Sequence, residues 1–544
     1  MKKLSILATI GAAMLMSSCN DFLDEPARGQ QELDIYFTTE EECRNFVNGC
    51  YYFITCDDWW QVYNPWLQME MATDNAWQGN TSQESGYREL VEYMPNGQEN
   101  GPSSNFYQYR YKGILNCNVA VDRITNADII IDEKVRRQLV AEARFLRGYY
   151  YFELVKLYGG VVLLDRLYEA EEAEGKGRST EKEIYDYIAE DFRYAIRNLP
   201  QKSALGAAEI GHATRGAALG LYGKALVFQG KWKQASDTLG LLVREGEYDL
   251  NPSFGDNFNP ANKNGIESVF EAQHTYDAAY NVGCPLSTVA GPRGVGDQDG
   301  WAWGIPSAYL ENLFLQAGDT ERLRWTIIRK GDTEIAGETP EAFAQLVEKQ
   351  GDLNEDGSYF IDPSAQKSPR VFRKYYCPLA QRGDKYDQVH SPINWPILRY
   401  SDVLLLYAEA LNEQGQDGLA AQLVSRVRNR VFLSGVNGKT GTELRDIIRL
   451  ERQLELAGEF HRLFDIRRWK EDNGNYAIAN IMGPQGRFVL WNTNQETADP
   501  DEWENQREAS NSGINYRDDR DRLWPIPLVE IERSHGSIQQ NPGW

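Results

Sequence analysis

The chain has 544 residues, of which 42% are hydrophobic and 25% charged, a composition that supports a sizeable core without metal or disulfides. Its formal net charge of −23 argues against nucleic acid as a partner, because a phosphate backbone requires clustered lysine and arginine. Aromatic residues make up 12% of the chain. Most should lie in the core, so the exposed ones are the informative ones.

The first 18 residues combine two lysines, an apolar run and two serines, directly before Cys19. The apolar run is too short to span a membrane and predicts an export signal. Small residues before a cysteine resemble the bacterial lipobox, in which Cys19 becomes the lipidated first residue. Ordinary cleavage near Ser18 with a free thiol is the alternative. A polar tether to about Gln31 follows, and no later stretch is long and apolar enough to cross a membrane.

Six further cysteines contain no CxxC pair, so neither a zinc site nor a thioredoxin-type site is predicted. Cys43 and Cys50 fall on one predicted helix, about 10 Å apart along its axis, which is too far for a disulfide. Cys50 with Cys56, or with a partner elsewhere, remains open.

Helical periodicity dominates two parts of the chain. Thr39 and Glu42 have the spacing of a capping box and predict a helix running toward Tyr52. Further helices are predicted over Phe106–Ile124, Glu133–Leu157, Thr180–Leu199, Thr214–Gln229, Lys231–Arg244, Asp402–Glu413, Leu419–Val431, Thr442–Ala457 and Phe460–Trp469.

Two of the predicted helix pairs repeat the same spacing of small residues. Offsets of 0, 7, 12 and 16 hold Gly223, Gly230, Ala235 and Leu239 in one pair and Ala408, Gly415, Ala420 and Val424 in the other. This is the tetratricopeptide pattern. The predicted fold is therefore mainly α, a tetratricopeptide-repeat scaffold over about residues 106–246 and 402–470.

Large irregular insertions interrupt this scaffold over about residues 57–105 and 248–401. They are rich in Gly, Pro, Asn, Asp and aromatic residues, with short helical signals near Ala308–Leu315 and Pro340–Glu348. A third irregular stretch follows Trp469. Long loops on a rigid scaffold usually carry binding sites.

The stretch ERQLELAGEFHRLFDIRRW (Glu451–Trp469) has the residues of an active site. On one helix, Glu455 and Glu459 would share a face, as would His461 and Asp465. Such pairs serve acid–base and metal chemistry. However, the apolar residues form a broad stripe and the arginines nearly match the acids. We therefore interpret the stretch as a packed helical segment whose ion pairs fix its neighbours.

Five motifs in order resemble the SusD/RagB family. They are CNDFLD (Cys19–Asp24), AEARFLRGYYYFELVKLYGGV (Ala141–Val161), WPILRYSDVLLLYAEALNE (Trp395–Glu413), ERQLELAGEFHRLFDIRRW (Glu451–Trp469) and LWPIPLVEIERSHGSIQQNPGW (Leu523–Trp544). The departures are Gly458-Glu459-Phe460, where the family more often has Glu-Gly before the histidine, and the terminal Trp544 in place of tyrosine. The match spans nearly the whole chain.

The resemblance implies a non-catalytic surface lipoprotein of the outer membrane, with one domain over residues 32–544. Such a protein binds a glycan and forms a lid over a SusC-like TonB-dependent transporter. A secreted α/α-toroid glycoside hydrolase or lyase is the alternative, although the sequence shows no pair of carboxylates placed for that chemistry. A peptide-binding scaffold that uses the repeats is a third hypothesis.

Glycan binding requires flat aromatic side chains beside amides and carboxylates. The loops offer two such groups, Asp74, Asn75 and Trp77 in MATDNAWQGN, and Trp301 and Trp303 in GDQDGWAWG. Trp59 and Trp60 are a third option. We predict that Trp77 and at least one of Trp301 and Trp303 stack on sugar rings. The alternative is that each tryptophan is buried under its own loop.

No enzyme motif contradicts this interpretation. The five histidines show no HExxH spacing, and GxSxG and P-loop patterns are absent. GDLNEDGSYFID reproduces the start of a calcium loop, with Asp352, Asn354, Asp356 and Asp362 as candidate ligands. A turn rich in Asp and Asn explains the same residues. No cofactor is required, and a structural calcium ion is one of these two alternatives.

Overall fold

The computed structural model describes residues 36–55, 62–77, 93, 102–129, 131–275, 283–292, 300–349, 368–381, 391–488 and 516–544. Its helices in the first half are α1 Glu40–Tyr51, α2 Tyr63–Met71, α3 Pro102–Asn126, α4 Glu133–Tyr158, α5 Ala170–Glu174, α6 Glu181–Asn198, α7 Arg215–Phe228 and α8 Trp232–Glu245. Those in the second half are α9 Leu286–Val289, α10 Ala308–Ala317, α11 Thr320–Thr326, α12 Pro340–Lys349, α13 Tyr400–Asn412, α14 Asp417–Arg430, α15 Gly441–Leu456, α16 Arg462–Arg468, α17 Ala477–Met482, α18 Asp518–Asp521 and α19 Leu528–Arg533. The strands are β1 Ala76–Trp77, β2 Ser268–Ala272, β3 Ile305–Pro306, β4 Ile327–Arg329, β5 Arg370–Phe372 and β6 Trp395–Arg399.

The helices stack largely in chain order. Helix α3 packs on α4, α4 on α6, α6 on α7, and α7 on α8. Helix α8 then packs on α13, which also contacts α14 and α15. The predicted helices are confirmed, and the Thr39 capping box is present, with its side chain accepting a hydrogen bond from the Glu42 amide. The predicted short helices of the insertion correspond to α10 and α12.

The small residues of the predicted repeat lie where its helices meet. A Cβ atom on Gly223 would stand 2.3 Å from the Leu239 side chain, so only glycine lets α7 approach α8 this closely. Ala408, Ala420 and Val424 of the second pair are fully buried. The two pairs adjoin through α8 and α13, and the insertion therefore leaves the stack and returns to it at one place.

Within the described residues, three short antiparallel sheets, which sequence reasoning did not predict, organise the insertion. Strand β2 pairs with β6 at the base of the insertion, with Ser268 opposite Arg399. Strand β1 pairs with β3, which joins the two irregular stretches through Trp77 and Ile305. Strands of two to five residues leave no measurable alternation in a sequence, so periodicity could not reveal them.

Among the described helices, none combines the length and apolar content needed to cross a membrane. The cysteines in the described ranges are buried and form no disulfide with one another: Cys43, Cys50, Cys117, Cys284 and Cys377. Cys56 and Cys19 lie outside those ranges, as does the predicted tether.

Candidate functional site

The stretch that resembles an active site is not one helix. Helix α15 ends at Leu456 and α16 begins at Arg462, with Gly458 and Phe460 between them at φ values of 76° and 65°. A Cβ on Gly458 would lie 3.0 Å from the Phe372 ring, in a conformation that favours glycine. Residues 457–461 therefore form a chain reversal, from which α15 and α16 point in different directions. The acidic groups of the two helices do not share one face.

Glu70 of α2 holds this reversal. Its carboxylate accepts hydrogen bonds from the backbone N–H groups of Gly458 at 2.8 Å and Phe460 at 3.0 Å, and from the Asn75 amide at 2.8 Å. Burial raises the pKa of Glu70 above its usual value, against the effect of these donors. Sequence reasoning missed this residue. A single acid in the apolar segment YNPWLQMEM was the available signal, because a lone buried charge needs partners.

Glu455 and Glu459 belong to a buried ion-pair cluster. Arg399 donates to Glu455 at 2.8 Å and to Glu459 at 2.7 Å, and Glu455 also accepts from Arg322 and Arg430. Burial opposes ionisation, but the three guanidinium groups outweigh it and hold the pKa of Glu455 well below its usual value. A carboxylate held ionised by three arginines cannot serve as the protonated acid that glycoside hydrolysis needs.

His461 and Asp465 also have separate partners. His461 Nδ1 lies 3.1 Å from the Lys224 ammonium, which donates to Asp402 at 2.8 Å. Asp465 instead accepts from Arg452 at 2.8 Å and lies beside Arg468. Burial, reinforced by the charge of Lys224, moves the pKa of His461 well below its usual value. The histidine is therefore a neutral, partly buried group, and the structural interpretation of this stretch agrees with the geometry.

Asp74 and Asn75 do not lie beside a ligand surface, contrary to the sequence-based expectation. Both are fully buried. Arg462 donates to the two carboxylate oxygens of Asp74 at 2.8 Å each, and the side-chain Oδ1 of Asn75 accepts from the Gln453 amide at 2.9 Å. Their polar groups are used to join the loop to α15 and α16.

The predicted stacking tryptophans divide into two groups. Trp77 is 5% exposed and packs with Ala302 and Ile305, and Trp303 is 6% exposed. The alternative of burial is therefore the correct one for these two. Trp301 is 37% exposed and is the tryptophan among the described residues that presents a substantial surface to solvent.

The backbone fixes Trp301 on a short platform, residues 300–304. The N–H groups of Trp301 and Trp303 donate to the carbonyl oxygens of Thr288 and Val289, each at 2.9 Å. Ala302 between them has a φ of 53°, a conformation that a non-glycine residue adopts only when its surroundings impose it. The two indole centroids are 5.7 Å apart and the rings are inclined at 60°, so Trp303 supports the exposed ring from behind.

The remaining predicted site residues lie outside the described ranges and stay predictions. They are Trp59, Trp60, the lipid-attachment residue Cys19 and the calcium candidates Asp352, Asn354, Asp356 and Asp362. Within the described part of the chain, His, Cys, Asp and Glu side chains form no group of three suited to a metal ion.

Family models match most of the chain. The model of the SusD family covers residues 266–544, and one described as "Starch-binding associating with outer membrane" covers residues 21–225. The chain belongs to the SusD family. The family resemblance read from the five motifs is thereby confirmed, and so is the mainly α fold on tetratricopeptide units, which SusD-like structures share.

Related sequences and solved structures are similar to this chain over most of its length. SusD-like protein P2 from Formosa agariphila is 26% identical over 569 residues, covering 100% of both chains. A SusD-like protein from Bacteroides ovatus is 25% identical and covers 86% of this chain and 82% of its own. A laminarin-binding SusD-like protein has 22% identity and a TM-score of 0.72 over 93% of this chain and 100% of its own. Surface glycan-binding protein A from Bacteroides thetaiotaomicron, solved with laminarihexaose, has 20% identity and a TM-score of 0.71 over 93% of this chain and 100% of its own.

Proposed function

We propose that this SusD-family protein binds a glycan at the surface of the outer membrane and delivers it to a SusC-like TonB-dependent transporter, without catalysing a reaction. Membership of the family over both halves of the chain supports glycan binding and outer-membrane association. The observation that carries the proposal is the exposed indole of Trp301, held rigidly on a platform outside the helical repeats.

In the proposed binding mode, the Trp301 ring lies against the C–H face of a sugar. Such contacts favour a flat aromatic ring whose position is fixed before the ligand arrives, because little conformational entropy is then lost on binding. The backbone hydrogen bonds to Thr288 and Val289 fix the main chain, and the Trp303 ring packs against the Trp301 indole. Polar contacts to the sugar hydroxyls would come from neighbouring loops.

The pairing of the buried carboxylates supports the non-catalytic part of the proposal. Buried carboxylates such as Glu455, Glu459 and Asp465 are ion-paired with arginines. Against the effect of burial, the arginines lower the pKa of Glu455 and of Asp465, whereas a glycosidase or lyase requires one carboxyl group with a raised pKa across the scissile bond.

The anchor is proposed at Cys19, where an acylated cysteine at the end of the export signal would tether the domain to the membrane. Cell fractionation tests this part. The Cys19→Ala variant should leave the membrane fraction with its domain folded. Retention of that variant in cells that lack the partner transporter would refute the anchor.

A glycan array with residues 21–544 tests the ligand class. Laminarin and laminarihexaose belong among the probes, since similar structures include a laminarin-binding protein and a laminarihexaose complex. We expect retention of at least one oligosaccharide family, without turnover on prolonged incubation. Binding to peptides but to no glycan, or turnover abolished by a single Asp or Glu substitution, would overturn the proposal.

A further inference from the structure

Two cysteines from different helices lie in the same part of the core. Cys50 is in the last turn of α1, Cys117 is near the middle of α3, and both side chains are 0% exposed. Helix α1 packs on α3, and the structure contains both residues as thiols. The sequence leaves the partner of Cys50 open between Cys56 and a cysteine elsewhere in the chain. The packing of the two helices makes Cys117 a candidate.

Contacts one turn away from the cysteines show how the two segments are aligned. The Arg110 guanidinium of α3 donates to the Phe53 carbonyl oxygen at 2.5 Å. A Cβ atom on Gly113 would stand 2.9 Å from the Phe53 Cβ. Cys117 lies one turn beyond Gly113, on the same side of α3. Cys50 lies one turn before Phe53. Continuing the alignment by one turn in each segment therefore brings the two cysteines opposite each other.

The two thiols are in contact. The Cys117 side chain is hydrogen-bonded to that of Cys50, and burial together with this neighbour raises the pKa of the Cys117 thiol well above its usual value. A disulfide needs Cα atoms about 4.4–6.8 Å apart, whereas the axes of packed helices are usually about 8–10 Å apart. Gly113 allows a closer approach, because it places no side chain between α3 and Phe53.

We propose that Cys50 and Cys117 form a disulfide in the exported protein, which joins α1 covalently to α3. Disulfides persist in the compartments beyond the inner membrane, to which the predicted export signal leads. One cysteine thiolate attacks the disulfide of an oxidising protein and releases one of its sulfurs as a thiolate. The second cysteine thiolate then attacks the mixed disulfide and releases the other sulfur. Two electrons thus pass to the oxidising protein, which leaves as a dithiol after taking up the two protons.

The bond should form before the core closes. In the folded protein neither thiol is exposed, and the raised pKa of Cys117 leaves little of the reactive thiolate. Once formed, the bond should resist reductants for the same reason. Helix α1 is the first helix after the predicted tether, so the disulfide would transmit a pull on Cys19 to the helical stack. The inference depends on export but not on glycan binding at Trp301.

Peptide mapping tests the proposal on the full chain recovered from cells that export it. Free thiols are alkylated under denaturing conditions, without reductant, before digestion and mass spectrometry. We expect a pair of peptides joined through Cys50 and Cys117 that separates after reduction, and an alkylated Cys43. The same chain without residues 1–18, made in a reducing cytosol, should have both Cys50 and Cys117 alkylated. Alkylation of both in most of the exported protein, or a bond from Cys50 to Cys56, would overturn the proposal.

Variants test the link between the helices. The oxidised parent should unfold at a higher urea concentration than the parent reduced under denaturing conditions and refolded, because the disulfide restricts the unfolded chain. Cys50→Ala and Cys117→Ala should each remove this difference. Cys43→Ala, at an equally buried position of α1, is the matched control and should retain it. Equal urea midpoints for the oxidised and reduced parent would refute the link. If an alanine variant fails to fold, the peptide map of the parent decides.

Discussion

The reversal between α15 and α16 and the platform at residues 300–304 are built alike but used differently. Each contains a non-glycine residue at positive φ, Phe460 at 65° and Ala302 at 53°. Around Phe460 the charged groups are buried and bound to one another, whereas beside Ala302 one indole remains exposed. In this protein, a segment rich in acids and histidines therefore belongs to the structural scaffold. The candidate binding site is recognised instead by an aromatic side chain that is exposed to solvent.

The largest expected effect is on the scaffold. Glu455→Ala removes the acceptor shared by Arg399, Arg322 and Arg430 and leaves buried guanidinium groups without it. We expect a loss of about 3–5 kcal/mol in the free energy of unfolding. Urea denaturation measures it, with the exposed Glu443→Ala on the same helix as the control. A loss below that of the control would show that the cluster does not stabilise the fold.

Trp303→Ala tests the buried side of the platform. A tryptophan that is 6% exposed leaves a cavity when truncated, so we expect about 3 kcal/mol of destabilisation. Thermal and urea melts report it. If the free energy of unfolding is unchanged, Trp303 does not stabilise the platform. The distinction between a structural Trp303 and a ligand-binding Trp301 would then be wrong.

Lowering the pH should reduce the free energy of unfolding through protonation of His461. Burial and the neighbouring Lys224 place its folded pKa well below the unfolded value of about 6.5, so the unfolded state binds the proton first. The stability that the neutral form provides is present above pH 6.5 and is lost as the pH falls. Between pH 7.5 and 5.0 we expect a loss of about 2 kcal/mol from this group.

The control for this pH dependence is His461→Asn, whose amide can still accept from Lys224. Urea midpoints of this variant should fall less steeply with pH than those of the parent. His535→Asn, at an exposed position, should leave the parent's slope unchanged. His274, whose pKa burial lowers to about 3, adds a second contribution that both variants retain. Identical slopes for His461→Asn and the parent would refute the assignment.

The smallest effect is on binding and not on folding. Trp301→Ala should weaken glycan binding by about 1–2 kcal/mol, or roughly tenfold, because one stacking ring is lost. Its melting temperature should fall less than that of Trp303→Ala, since a side chain that is 37% exposed leaves no enclosed cavity. Calorimetric titration with an array-positive oligosaccharide measures the affinity. A lower melting temperature together with normal affinity would show that Trp301 supports the fold and that the glycan-binding site lies elsewhere.

The sequence predicted the helices well because their signals are local. Capping residues and apolar periodicity lie within each helix, and the boundaries of α4 and α6 agree to within one residue of Glu133–Leu157 and Thr180–Leu199. The five motifs likewise identified the family. Both depend on residues close together in the chain.

The candidate site was harder to predict because its decisive contacts are distant. Asp74 and Asn75 have the composition of a ligand-binding loop, and only the position of Arg462, 388 residues away, shows that they are internal. Trp77, Trp301 and Trp303 lie in equally polar, glycine-rich surroundings. No local signal separates the buried rings from the exposed one, because burial depends on contacts between distant segments, such as the pairing of β1 with β3 at Trp77.

The ion pair between Asp74 and Arg462 also affects the order in which the chain folds during synthesis. A chain synthesised from its amino terminus presents Glu70 of α2, and then Asp74, long before residues 458–462 appear. Closing a loop of 388 residues is entropically costly and slow compared with local helix formation. The segment that contains α2 and Asp74 should thus not complete its packing until the last fifth of the chain has been synthesised. A chain that ends before residue 458 lacks the Arg462 donor of Asp74 and the Gly458 and Phe460 donors of Glu70, and we expect its fold to be less stable than that of the full chain.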